Sequence, residues 1–255
     1  MSSRTSRFKD WHQKFVVEER YVARVVRRRL YAASFILMGV GVALFLTILF
    51  QVLARNGIVH VDQVINTWFE QHRSGFVTPF MIFFAIAFGP ILLPILLAIA
   101  IIVWIWRAKH AWRPLVLGGF MILGVIIVEV IAHSVGRMRP PTDFMLLEVD
   151  HTFSFPSGHV MATADFLLIS SYLIVSRRPV RRLITICASV SVIVILLQIV
   201  SRMYLGYHWL SDTLASVSLS LFMLGLVMAV DTRRTVRVRG EKIEGEFSQP
   251  RVHGT

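Results

Sequence analysis

Residues 31–54 read YAASFILMGVGVALFLTILFQVLA, without one charged side chain. At about 1.5 Å per residue a helix of that length covers roughly 36 Å, and a bilayer's hydrocarbon core is about 30 Å thick. The stretch therefore reads as a membrane crossing. A second run, residues 115–132, reads LVLGGFMILGVIIVEVIA and carries only Glu129. Across the 255 residues, 55% are hydrophobic and 16% charged, and the mean hydropathy is +0.65. Soluble globular domains rarely show that balance, so several spans are predicted.

Working outwards, residues 1–30 are polar and basic, which is not the short charged stub and apolar stretch of a cleavable signal peptide. Insertion by the first true span is expected. Phe8, Trp11, Phe15, Val22 and Val25 recur at nearly helical spacing among arginines and lysines. Two readings fit them: a basic amphipathic helix on the membrane surface, or a solvated positive tail that fixes topology. At the other end, residues 232–255 are polar and glycine-bearing and are expected to be mobile.

Between those ends, residues 31–231 are read as one membrane domain. After the first span, Val61, Val64, Ile65, Trp68 and Phe69 follow i, i+3, i+4, i+7, i+8 spacing, which predicts a short interfacial helix before Ser74-Gly75. The apolar stretch 76–106 makes roughly 45 Å of helix, too long for a simple span. Gly89-Pro90 and Pro94 mark where it should bend. Counting it as one crossing leaves every strongly basic connection inside, as cytoplasmic loops require; two crossings would put Arg177, Arg178, Arg181 and Arg182 outside. With further spans at 114–135, 158–176, 183–203 and 209–230, the expectation is an all-α polytopic protein with six transmembrane helices and both termini cytoplasmic.

The net charge of +12 and pI near 11.0 are then explained by topology. The basic residues flank apolar spans instead of covering one polar surface, so nucleic acid is not an expected partner. The single cysteine, Cys187, lies in an apolar run, which excludes an internal disulfide and any thiolate-built metal site.

The loops left outside hold most of the unusual polar residues: Gly-Arg-Met-Arg-Pro at 136–140, Pro-Ser-Gly-His at 156–159, and Ser-Arg-Met-Tyr-Leu-Gly-Tyr-His-Trp-Leu-Ser-Asp at 201–212. His208 and Asp212 are four apart, so on a helix they share a face. A carboxylate there fixes the imidazole tautomer and frees the other nitrogen as a nucleophile. Taken alone, the same pair also fits a capping arrangement at a membrane interface. Ser157, Gly158 and His159 open an apolar run and so belong at a helix N-terminus, where free N–H groups and the macrodipole attract anions. His159 is placed to act as general acid. Arg139 and Arg202 taken singly fit snorkelling anchors, but a guanidinium also binds two phosphate oxygens at once. Together these groups suit a tetrahedral dianion.

The three clusters resemble the signature of the type 2 phosphatidic acid phosphatase (PAP2) family: Lys-x6-Arg-Pro, Pro-Ser-Gly-His and Ser-Arg-x5-His-x3-Asp. The second and third match in full, at Pro156 to His159 and at Ser201, Arg202, His208 and Asp212. The resemblance implies a six-span membrane hydrolase of the plasma membrane, acting outside the cytoplasm on a lipid phosphate or diphosphate. By the same resemblance His208 forms a phosphohistidine, Asp212 orients it and His159 protonates the leaving group. Arg139, Ser157, Gly158 and Arg202 hold the phosphate, and no metal or other cofactor is needed. Undecaprenyl diphosphate and other polyprenyl diphosphates, phosphatidylglycerol phosphate and phosphatidic acid all fit, within surrounding membrane lipids. One position departs: the family lysine falls at Ala132, which leaves His133 and Arg137 as candidates for accessory positive charge. A lipid phosphotransferase using the same site and a non-catalytic lipid-binding protein are the alternative readings. Oligomeric state is not legible.

Overall fold

The computed structural model describes Phe15 and residues 19–108 and 110–242. Its α-helices, in order, are α1 (Arg24–Ala54), α2 (Ile58–Gln71), α3 (Val77–Ala87), α4 (Leu92–Arg107), α5 (Trp112–Val135), α6 (Gly158–Val175), α7 (Arg181–Tyr204) and α8 (Leu210–Thr235). Five of them, α1 and α5 to α8, are long and apolar enough to cross a membrane. The α3–α4 pair, bent by 50° at its break, passes the same test when its two helices are taken together, and counted as one span it makes a sixth. That break falls at Gly89-Pro90, where proline has no N–H to continue the helical ladder.

The protein is thus an all-α, multi-pass membrane protein. Phe35, Ile36, Phe50, Ile102, Ile122 and Ile193 all stand more than half exposed. On a soluble surface they would be a liability; here they face lipid, while the helices satisfy their own backbone groups as the hydrocarbon requires.

The centre of the bundle is α8, more than half of whose apolar stretch is buried, and it packs along most of α1. A hydrophobic drive between helices is absent in lipid, so close fit must supply the attraction. Gly41 shows how close that fit is: a Cβ there would stand 2.6 Å from the Ser218 carbonyl oxygen. Far from the site described below, the buried Asp231 of α8 accepts hydrogen bonds from Trp112 Nε1 and Tyr172 OH, both at 3.0 Å. That carboxylate ties α5 and α6 to α8.

Two expectations about the chain ends need correction. First, α1 begins at Arg24, so the proposed boundary at residue 30 falls inside a helix. Second, residues 232–237 are not a loose tail: α8 runs to Thr235, and Val236–Arg237 pair in parallel with Arg20–Tyr21. Beside this small ladder the buried Glu19 meets Arg237 Nη2 at 2.6 Å. Pairing satisfies strand backbone groups that a free tail would leave to water. Residues 1–14, 16–18 and 243–255, with most of the expected amphipathic helix, lie outside the described residues.

The short helix α2 forms where its spacing predicted. Val61, Val64 and Trp68 point outwards, while Asp62 and Asn66 are buried against the bundle. The apolar stripe is thus divided, with Ile65 and Phe69 packed against the bundle beside the two buried polar residues.

Candidate active site

Three segments converge: the 136–157 loop, the N-terminus of α6, and the turn joining α7 to α8. The turn is fixed by Gly206, whose φ is +81°, a region that L side chains rarely enter. A Cβ there would also collide with the Phe144 carbonyl. Two residues further on, His208 is 2% exposed.

His208 Nδ1 lies 2.9 Å from the Ser154 carbonyl oxygen and 3.5 Å from Asp212 Oδ2. On its other side, Arg139 Nη1 lies 3.1 Å from His208 Nε2. A guanidinium only donates, so Nε2 must accept, and the proton belongs on Nδ1. The tautomer is thereby set with a lone pair on Nε2. Burial first, and then the charges of Arg139 and Arg202, press the imidazole's pKa well below its ordinary value.

The expected helical stacking of His208 and Asp212 is not what brings them together. His208 precedes α8, and Asp212 sits in that helix's first turn, where Oδ2 accepts the Trp209 N–H at 2.9 Å. A capping turn, not a helical one, sets the approach, and the Ser154 carbonyl is the nearer acceptor for Nδ1. The other oxygen of Asp212 takes Arg137 Nη1 at 2.6 Å. Arg137 Nη2 in turn meets Asp62 Oδ2 at 2.7 Å, and Asp62 also accepts the Ser211 N–H at 2.8 Å and hydroxyl at 2.6 Å. Arg137 is consumed by this buried network and does not line the cavity described below.

Arg139 makes four hydrogen bonds and one ion pair. Nε reaches the Thr152 carbonyl at 3.1 Å; Nη1 reaches the Tyr207 carbonyl at 2.8 Å and His208; Nη2 reaches Thr152 Oγ1 and Asp150 Oδ2, each at 2.8 Å. Asp150 is itself fixed by the Thr152 N–H and hydroxyl at 2.9 and 2.8 Å. Burial alone would raise this carboxyl, but the two Thr152 contacts and Arg139 hold it below the ordinary aspartate value.

At the start of α6, Ser157 is fully buried, and its hydroxyl has no hydrogen-bond partner. An orphaned buried donor is costly, and this one sits beside the unpaired N–H groups of the first helical turn. Arg202 lies beneath, buried, its guanidinium 4.4 Å from the Tyr207 ring centroid and its Nε unpartnered. It does not line the cavity.

That cavity, about 660 Å³, runs between the bent α3–α4 pair, α5 and α6. Arg139, Asp150, Thr152, Gly158, His159 and His208 line one end; Leu93, Leu97, Met121 and Val128 line the rest. Ile122 and Val125, also in the wall, are more than half exposed on the outer face of α5, so the cavity opens sideways.

A sequence model of the PAP2 superfamily matches residues 113–235, the stretch that carries all three clusters. Residues 113–235 form a PAP2-superfamily region. Among proteins of known function it is similar to phosphatidylglycerophosphatase B of Bacillus subtilis (strain 168), at 27% identity over 208 residues, 76% of this chain and 95% of that protein. Among solved structures it is similar to a transmembrane PAP2-type phosphatidylglycerolphosphate phosphatase from Bacillus subtilis. The TM-score there is 0.68 at 26% identity, covering 77% of this chain and 98% of the other. The protein is accordingly a membrane phosphatase.

Ala132, where the PAP2 lysine would stand, is buried in the cavity wall. His133 also lines the cavity, but its ring is mostly exposed, packs edge-on to Phe153 at 5.6 Å and lies 3.7 Å from Glu129. Sequence reasoning missed Asp62, Asp150, Thr152 and Ser154. Ser154 acts through its backbone, which no side-chain pattern reports. Asp62 did carry a signal, as an acid inside an otherwise apolar-patterned interfacial helix.

Proposed function

We propose that this PAP2 phosphatase hydrolyses a lipid phosphate by way of a phosphohistidine on His208, on the extracytoplasmic face of the plasma membrane. The observation that carries the reading is the unprotonated Nε2 of His208, held against Arg139 at the polar end of an apolar cavity that opens to lipid. Such a cavity suits a phosphate with a hydrocarbon tail. Phosphatidylglycerol phosphate is the first substrate to test, because both relatives are named for it.

In the first step Nε2 attacks phosphorus, a P–N bond forms, and the P–O bond to the lipid breaks. The departing oxygen takes a proton from His159. Water then attacks the phosphohistidine with His159 accepting its proton, the P–N bond breaks, and inorganic phosphate leaves. Arg139, the Ser157 hydroxyl and the α6 N-terminus stabilise charge on the equatorial oxygens, with Arg202 adding its field from below. Asp212 and the Ser154 carbonyl keep the proton on Nδ1. No step calls on a metal ion. The arginine-rich α6–α7 connection supports the topology, because its four arginines belong inside and the site lies at the opposite end of those helices.

The test is phosphate release from phosphatidylglycerol phosphate by purified protein in detergent with excess EDTA, alongside trapping of an acid-labile, base-stable phosphoenzyme. His208→Asn should lose both signals while remaining folded. Undiminished release by that variant would overturn the mechanism, and activity that requires added divalent cation would overturn the metal-free reading.

A further inference from the structure

Arg139 meets an incoming phosphate already committed, with four hydrogen bonds made and the Asp150 carboxylate held 2.8 Å from its Nη2. If the site takes phosphate as proposed above, the phosphate competes with these partners for the guanidinium. The Thr152 and Tyr207 carbonyls are backbone groups of packed segments, whereas Asp150 is a side chain about one-third exposed (32%) and lining the cavity beside His208. Rotation about its Cα–Cβ bond alone removes its carboxylate from Arg139.

We propose that Asp150 is a selectivity residue that keeps phosphodiesters out of the phosphate seat. Binding becomes an exchange of anions on Arg139. A phosphodiester headgroup carries one negative charge, so replacing the Asp150 carboxylate with it gains little. A phosphomonoester dianion brings a second charge and three terminal oxygens, and the exchange becomes favourable. The discrimination matters because the surrounding bilayer is itself made largely of phosphodiester lipids, present in excess over any monoester. A carboxylate fixed by the Thr152 N–H and hydroxyl is also well placed to return when phosphate leaves.

The test uses the full chain in mixed micelles, with phosphatidylglycerol phosphate as substrate and phosphatidylglycerol as the competing diester. Wild type should be inhibited only weakly by the diester. Asp150→Asn should lower the inhibition constant for phosphatidylglycerol by about three- to tenfold, with a smaller change in KM for the monoester. Asp150→Glu, which keeps the charge, should restore rejection. Thr152→Val, which removes the hydroxyl holding Asp150, should weaken rejection independently, so that misfolding of one variant does not decide the matter. An inhibition constant unchanged or raised in Asp150→Asn, or monoester and diester affinities moving by the same factor, would overturn the proposal. Absence of phosphate release from every lipid monoester tried with wild type would instead overturn the hydrolase reading.

Discussion

Asp62 Oδ2 and Arg137 Nη2 stand 2.7 Å apart, joining the interfacial helix α2 to the loop after α5. Through its other amino group the same arginine holds Asp212 at 2.6 Å. A helix with no residue in the cavity thus fixes the carboxylate beside the proposed nucleophile.

Removing Asp62 should therefore damage both stability and turnover. Asp62 is 1% exposed, and Asp62→Ala leaves a largely buried guanidinium short of a partner, a loss of about 3 kcal/mol. The melting temperature in detergent should fall, with kcat reduced in the protein that remains folded. Asp62→Asn, which still accepts from Ser211, should lose less. Equal melting temperatures for wild type and Asp62→Ala would refute the link.

His159→Ala should separate the two halves of the reaction. With a lipid alkoxide as leaving group, loss of the general acid should slow phosphoryl transfer by about 10²–10⁴-fold. With a good leaving group such as p-nitrophenolate, phosphoenzyme should still form and then persist, because its hydrolysis needs the same base. Equal slowing on both substrates would remove His159 from the proton-transfer role.

The depressed pKa of His208 has a signed consequence for stability. Unfolding restores an ordinary histidine value near about 6.5, so below that pH the unfolded chain binds a proton that the folded one refuses. The contribution is present above about pH 6.5 and is lost as pH falls from there toward the lower folded value. Melting temperature measured from pH 7.5 to 5.5 should decline, and His208→Asn should flatten part of that slope. A slope identical in the two proteins would contradict it.

Topology is testable with single cysteines in a background carrying Cys187→Ala. Glu148→Cys, on the loop above the cavity, should react with an impermeant thiol reagent on intact cells. Arg178→Cys, in the α6–α7 connection, should react only after lysis. The reverse pattern would invert the orientation.

Substituting Gly41 should loosen the bundle at its centre. Any side chain there meets the Ser218 carbonyl at 2.6 Å, so Gly41→Leu should destabilise by about 1–3 kcal/mol, read as a lower melting temperature. An unchanged melting temperature would mean that α1 and α8 do not pack this closely.

Much of the architecture was legible because it is local. Span lengths follow from apolar runs, and the break between α3 and α4 was written in Gly89-Pro90. Pro-Ser-Gly-His announced the start of α6 because helix starts have short signatures. The His208–Asp212 spacing drew attention to residues that do lie together, but through a cap that the four-residue period does not distinguish from a helical turn. Arg137 looked like spare positive charge because its partners, Asp62 and Asp212, are each 75 positions away in the chain. Asp150 went unnoticed for a related reason: its meaning depends on Arg139, and only the folded loop brings the two acidic and basic groups to 2.8 Å.

The sideways mouth of the cavity, with Ile122 and Val125 on its rim, changes what concentration means for this protein. A substrate that slides in from the leaflet never crosses water, so what the site samples is mole fraction in a plane, not molarity in a volume. Diluting a fixed number of vesicles with buffer should leave the rate per vesicle untouched, whereas diluting the substrate with inert lipid should slow it.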